Sequence, residues 1–141
     1  MAVSSVAYSS VPGAPKLRFD VRVFLCFVAL TVLEGLIATI WSHHRWLRGF
    51  VGDVLAIAWV YLLLKSFVRA SPLMLASAAL LTGYILELAQ YLAKMQGWHI
   101  QQPVLRVLIG SVPDWWDVVA YTIGFVLVLC AEKLLARLGV R

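Results

Sequence analysis

Four residues near the end of the chain have types and a spacing that could carry chemistry. Asp114, Asp117, Tyr121 and Gly124 recur at helical spacing, so two carboxylates, a phenol and a bare backbone share one helix face. Paired carboxylates can hold a divalent cation or move a proton. Asp114 follows Pro113 and is also suited to cap the helix that begins there. Acids at the start of an otherwise apolar membrane helix need water, partner charges or a ligand.

Further polar residues are predicted to gather with these acids on the outer side of a membrane. Gln90 lies three positions after Glu87 and therefore shares its helix face. One interpretation is a network of salt bridges and hydrogen bonds that fixes helix register. The other is a polar cavity, in which arginines grip an anionic head group while carboxylates orient them or hold a cation. The candidate residues for this polar cluster are Arg48, Asp53, Glu87, Gln90, Arg106, Asp114, Asp117 and Tyr121.

Glu34 is a separate candidate. It is the deepest acid of the first apolar run and has no basic residue four positions before or after it. Acids inside a membrane often belong to proton pathways, which makes Glu34 a candidate for a proton-linked role. A protonated, hydrogen-bonded structural acid is the alternative.

The elements that must position these residues follow from the composition. With 62% hydrophobic and 13% charged residues, the chain is predicted to be an integral membrane protein. Four apolar runs long enough to span a bilayer predict an all-α bundle of four transmembrane helices in one domain, residues 16–141. Residues 1–15 are predicted to form a disordered tail, and Pro103–Ile109 a short interfacial helix in the long outer loop. The predicted helices cover about residues 19–41, 49–68, 72–94 and 114–136.

The distribution of Lys and Arg predicts the orientation. Eight basic residues fall on the side of both termini and four on the other, which places both termini in the cytoplasm. The net charge of +5 is then a consequence of topology. It favours membrane lipids as partners and gives no reason to expect nucleic acid. No cofactor and no metal site are predicted, because the two cysteines, Cys26 and Cys130, form no zinc motif.

Small residues at helical spacing indicate where helices approach each other closely. Such pairs let backbones meet where lipid supplies no hydrophobic drive. The predicted close contacts are Gly35 with Thr39, Gly52 with Ala56, and Ala79 with Gly83.

Four motifs together resemble a known family. They are Arg48-Gly49-x-x-Gly52-Asp53, Glu87-Leu88-x-Gln90, Arg106 before Gly110, and Asp114-x-x-Asp117-x-x-Ala120-Tyr121-x-x-Gly124. This pattern resembles the small bacterial four-helix membrane proteins of domain-of-unknown-function family 2809, and the resemblance runs from about Phe19 to Leu135. It implies an architecture and no activity. The chain is also similar in outline to the VanZ-like proteins, a resemblance that implies a setting near cell-wall lipid intermediates.

The sequence therefore predicts a multi-pass protein of the bacterial inner membrane. Its polar cluster is expected to bind an anionic lipid or a lipid-linked cell-envelope precursor without chemistry. Two alternatives remain: a small proton-coupled transporter that uses Glu34, and an enzyme for metal-assisted chemistry on a lipid head group. No nucleophile elbow or phosphate-cradling glycine loop supports the enzyme.

Overall fold

The computed structural model describes residues 16–40, 47–96 and 115–139. Four long helices dominate it, with a short two-stranded ribbon at one end. The predicted tail at 1–15 and the predicted helix at 103–109 lie outside the described residues. The elements are β1 (Lys16–Leu17), α1 (Val21–Ile40), a π-helical turn (Leu47–Val51), α2 (Gly52–Phe67), β2 (Val68–Arg69), α3 (Pro72–Met95) and α4 (Trp115–Arg137).

All four helices are long and apolar enough to cross a membrane, which confirms the predicted fold class. The spans contain 20, 19, 24 and 23 residues, and the second includes part of the π-helical turn because it begins at Gly49. At 1.5 Å per residue these lengths match a hydrocarbon core of about 30 Å. The chain is a multi-pass membrane protein.

Two side chains fix helix starts at the same end of the bundle. Asp20 precedes α1, and its Oδ1 accepts hydrogen bonds from the backbone N–H of Arg22 at 3.1 Å and of Val23 at 3.4 Å. Ser71 precedes α3 and accepts from the N–H of Met74 at 3.2 Å. Pro72 occupies the first turn of α3, where its missing N–H costs nothing. Local sequence therefore defines where α1 and α3 begin.

The ribbon ties the segment before α1 to the turn between α2 and α3. β1 runs antiparallel to β2, with Lys16 opposite Arg69 and Leu17 opposite Val68. Beyond the strands, the N–H of Arg18 donates to the carbonyl oxygen of Phe67 at 2.8 Å. The sequence did not predict these strands, since each has only two residues. We call this end of the bundle the ribbon end.

Helix α2 lies at the centre of the bundle. It packs against α1, α3 and α4, and α3 packs against α4, whereas α1 makes its main contacts with α2. No residue of α1 is fully buried. The core therefore forms between α2, α3 and α4. Its buried hydrophobic residues are Ile57, Tyr61, Leu75, Ala76, Ala79, Ala120, Tyr121 and Val128.

The closest approach of two helices occurs at Gly124. A Cβ added there would lie 2.5 Å from the carbonyl oxygen of Val54, so α4 rests directly on the α2 backbone. Of the predicted close contacts, the one at Ala79 and Gly83 is confirmed, because both residues are buried between helices. The predictions at Gly35 and Gly52 are wrong, since a Cβ at either position would meet nothing within 4 Å.

Candidate functional site

Three helices bring acids to the end of the bundle opposite the ribbon. Asp53 lies in the first turn of α2, Asp117 in the first turn of α4, and Glu87 in the second half of α3. Because α3 runs antiparallel to α2 and α4, its end lies beside their beginnings. Tyr121 follows Asp117 by one helical turn and faces the same interior. We call Asp53, Glu87, Asp117 and Tyr121 the Tyr121 cluster.

Tyr121 is the centre of this cluster. Its hydroxyl donates to Oε1 of Glu87 at 3.4 Å, and both residues are only 8% exposed. The carboxylates of Asp53, Glu87 and Asp117 all lie close enough to act electrostatically on that hydroxyl. The phenol of Tyr121 thus lies near three carboxyl groups at the junction of three helices.

Glycines provide the space for the Tyr121 ring. A Cβ on Gly83 of α3 would lie 3.0 Å from Cδ2 of Tyr121 and 3.3 Å from Cδ1 of Ile57. Gly124, one turn beyond Tyr121, lets α4 approach α2 closely on the same face. The bare backbones of α3 and α4 therefore allow a large aromatic side chain into the junction of three helices.

The remaining predicted site residues fall into two groups. Gln90 is half-buried on α3, and the backbone of Arg48 lies in the π-helical turn that leads into α2. Asp53, Glu87, Gln90 and Asp117 all have interaction partners. Arg106 and Asp114 lie outside the described residues.

Glu34 stands apart from the Tyr121 cluster. It lies on α1, on the half-buried face that also carries Phe27, Leu30 and Ile37. That face packs on α2, as shown by the 4.9 Å separation between the ring centroids of Phe27 and Trp59. Oε1 of Glu34 is buried and has no hydrogen-bond partner among the described residues.

Sequence reasoning missed a second polar cluster, at the ribbon end. Lys65 of α2 forms a salt bridge with Oε1 of Glu132 on α4. The Nζ of Lys65 also lies 5.5 Å from the ring centroid of Tyr61, one turn earlier on α2. The Tyr61 hydroxyl is buried close to the Glu132 carboxylate, without the geometry of a normal hydrogen bond. We call these three residues the Tyr61 cluster.

The spacing of Tyr61 and Lys65 at i and i+4 was the available signal for this cluster. It placed a phenol and a cation on one face of α2. Glu132, near the end of the predicted fourth helix, carries no such signal. The pairing depends on α4 packing against α2, which the spacing within one helix does not reveal.

The described side chains of the Tyr121 cluster can act through charge and hydrogen bonding. Within residues 16–40, 47–96 and 115–139, no group of three or more His, Cys, Asp or Glu side chains could hold a metal ion. Carboxylates and a phenol at a helix junction can instead accept hydrogen bonds from cationic donors and fix their direction. The Tyr121 cluster is thus suited to orienting a cation.

A family model matches residues 42–125, which is more than half of the chain. Its description is "Protein of unknown function (DUF2809)". The chain belongs to the DUF2809 family. The part that matches DUF2809 includes every member of the Tyr121 cluster and excludes Glu34 and Glu132. Comparisons with curated proteins and with solved structures gave no match.

Proposed function

We propose that this DUF2809 protein binds the anionic head group of a lipid, or of a lipid-linked cell-envelope precursor, at the end of the bundle that carries the Tyr121 cluster. The supporting observation is the convergence of three carboxyl groups from three helices on one buried phenol. Carboxyl groups inside a membrane cost free energy unless they are paired with, or orient, a partner group.

In this proposal, arginines bind the phosphate and acids hold the arginines in place. A guanidinium presents several N–H donors, so it can donate to a carboxylate on one side and to a phosphate on the other. Arg48 precedes Asp53 by five positions, and its backbone lies in the π-helical turn at the same end of α2 as the cluster. Arg106 and Asp114 complete the proposed set. The arginines alone contact the phosphate, and they are oriented by Asp117, Glu87 and Gln90.

The proposed setting is the bacterial inner membrane with both termini in the cytoplasm. Eight basic residues on the side of the ribbon against four on the other support this orientation. The Tyr121 cluster then faces the outer leaflet, where lipid-linked precursors of the envelope are displayed.

The test uses the full chain in nanodiscs, with phosphatidylglycerol and a polyprenyl diphosphate as separate probes. Replacing Arg48 and Arg106 together by Gln should weaken retention of the bound probe about tenfold or more, because charge-assisted contacts to phosphate are lost. Lys94→Gln is the matched control, since Lys94 is an exposed cation near the end of α3. Unchanged retention in the double variant, with α-helical content preserved, would overturn the proposal.

The two probes identify the ligand class. If loss of both arginines weakens retention of the polyprenyl diphosphate more than retention of phosphatidylglycerol, the ligand is a precursor with two phosphates. If retention of the two probes falls equally, the ligand is a common anionic lipid.

Proton-coupled transport through Glu34 is the second candidate, because a buried carboxylate oxygen without a hydrogen-bond partner among the described residues suits a group that gains and loses a proton. The family match does not extend to this residue. In proteoliposomes, Glu34→Gln should then abolish proton flux coupled to a lipophilic cation, whereas Asp117→Asn should preserve it. Flux that is equal in wild-type protein and Glu34→Gln would dismiss the candidate.

A further inference from the structure

The ribbon places two cations directly opposite each other. Lys16 of β1 pairs with Arg69 of β2 across the antiparallel strands. Residues in such positions have Cβ atoms about 5 Å apart, and like charges there destabilise the pairing. Both residues are exposed. The ribbon therefore concentrates positive charge at this point of the surface.

Acids of the described chain do not neutralise this pair. The salt bridges near the ribbon end join Arg18 to Asp20 and Lys65 to Glu132, and among the described residues neither Lys16 nor Arg69 takes part in one. Asp20 is already occupied as the cap of α1. Among the described residues, no acid pairs with Lys16 or Arg69, so both remain available to an external anion.

The other face of the ribbon is apolar. Leu17 lies opposite Val68, and its side chain is 89% exposed. Phe19 is 52% exposed, and its ring centroid lies 5.3 Å from that of Phe67 at the end of α2. Successive strand residues point to opposite faces, so Lys16 and Arg69 lie on one side of the ribbon while Leu17 and Val68 lie on the other.

The position of the ribbon in the fold decides what can meet both faces. β1 lies four residues before α1, and β2 lies between α2 and α3, so the ribbon sits where three membrane spans end. At that depth a surface with a basic side and an apolar side contacts head groups and acyl chains together.

We propose that the ribbon is a binding site for an anionic lipid, in which Lys16 and Arg69 hold the head-group phosphate and Leu17 and Phe19 contact the acyl chains. The phosphate lies between the two opposed cations and removes their repulsion. This site goes beyond the proposed function, because it uses different residues at the opposite end of the helices. Lipid binding at one end can fail while the other remains intact.

Native mass spectrometry of the full chain released from nanodiscs tests the site. The nanodiscs contain equal amounts of phosphatidylglycerol and phosphatidylcholine, and the readout is the number of phosphatidylglycerol molecules retained. Lys16→Ser/Arg69→Ser should retain about one phosphatidylglycerol molecule fewer than wild type, because the ribbon loses its cations while the site proposed at the Tyr121 end is unchanged. The control, Lys133→Ser/Arg137→Ser, removes the same charge from exposed positions at the end of α4 and should retain the lipid as wild type does. Equal retention by both double variants, or equal loss, would overturn the site.

A charge reversal provides an independent test that does not depend on loss of folding. Lys16→Glu creates an opposite-charge pair with Arg69 across the strands. In a neutral detergent this variant should unfold about 1–2 °C above the wild-type protein, because attraction replaces repulsion. Its retention of phosphatidylglycerol should fall. A variant that is no more stable, or that retains the lipid fully, contradicts the proposal.

Inorganic phosphate distinguishes a lipid site from a site for a solution anion. Phosphatidylglycerol should raise the unfolding temperature of the wild-type protein in neutral detergent, and it should raise that of Lys16→Ser/Arg69→Ser by less. Inorganic phosphate at millimolar concentration should have no effect, because it cannot use the apolar face. Equal stabilisation by phosphate alone would exclude the lipid assignment.

Discussion

The Tyr61 cluster and the Tyr121 cluster are built from the same parts and differ in how their charges are arranged. Each has a buried tyrosine that faces a glutamate on a neighbouring helix. In the Tyr61 cluster, Lys65 supplies a positive charge for Glu132 within the contact of α2 and α4. The Tyr121 cluster instead joins acids from three helices around one hydroxyl.

Under the proposed function, this difference separates a structural role for the Tyr61 cluster from a binding role for the Tyr121 cluster. An acid and a base that meet within one helix contact are complete as a pair, and their main effect is to hold the two helices in register. Acids that converge from three helices concentrate one sign of charge, which attracts cations and directs them. The Tyr61 cluster therefore serves as the internal standard against which the Tyr121 cluster can be tested.

Gly124→Ala should have the largest effect, because it disturbs the helix contact on which both clusters depend. The new methyl group would lie 2.5 Å from a backbone oxygen of α2, which cannot rotate away. We expect a loss of about 3 kcal/mol in the free energy of unfolding, at the upper end for overpacking. Unfolding in mixed micelles with increasing dodecyl sulfate measures it.

The matched control for that experiment is Gly35→Ala. Nothing lies within 4 Å of a Cβ at this position on α1, so the free energy of unfolding should stay within about 0.5 kcal/mol of wild type. If both variants lose the same stability, the close contact of α2 and α4 is not as described.

Lys65→Met should have the next largest effect and sharpens the assignment of the Tyr61 cluster. It leaves Glu132 without its cation, and we expect a loss of about 2 kcal/mol, less than for a fully buried pair because the Lys65 side chain is 30% exposed. Lys65→Met/Glu132→Met should recover most of that stability, since both charges are then gone. Retention of phosphatidylglycerol at the Tyr121 end should remain at the wild-type level in the double variant. A double variant less stable than Lys65→Met would show that Glu132 has another essential partner.

Removing each tyrosine hydroxyl should have the smallest effect on stability, and it compares the two clusters directly. Tyr121→Phe loses the hydrogen bond to Glu87, and because its 3.4 Å length is long, we expect a loss of only about 0.5–1 kcal/mol. Tyr61→Phe removes a buried hydroxyl that makes no normal hydrogen bond among the described residues, so stability should be unchanged or slightly higher. Thermal unfolding monitored by circular dichroism compares the two. The reverse order of stability would exchange the roles assigned to the clusters.

The sequence predicts the parts of this molecule that depend on a single helix. Composition and run length predict four spans, and the helical period places Asp117, Tyr121 and Gly124 on one face. It does not show that Gly124, rather than Gly35, is the point of close approach, because that depends on which helices are neighbours. The salt bridge from Lys65 to Glu132 was missed for the same reason, since its partners are 67 positions apart.

The ribbon also constrains the order in which this chain can assemble in a membrane. During synthesis α1 is complete long before Arg69, the partner of Lys16, has been made. The strands can therefore pair only after α2 has crossed the bilayer and returned the chain to the side of the membrane on which Lys16 lies. Closing the ribbon then turns α1 and α2 into one inserted unit. Since α1 packs mainly on α2, this unit provides the surface on which α3 and α4 subsequently build the core.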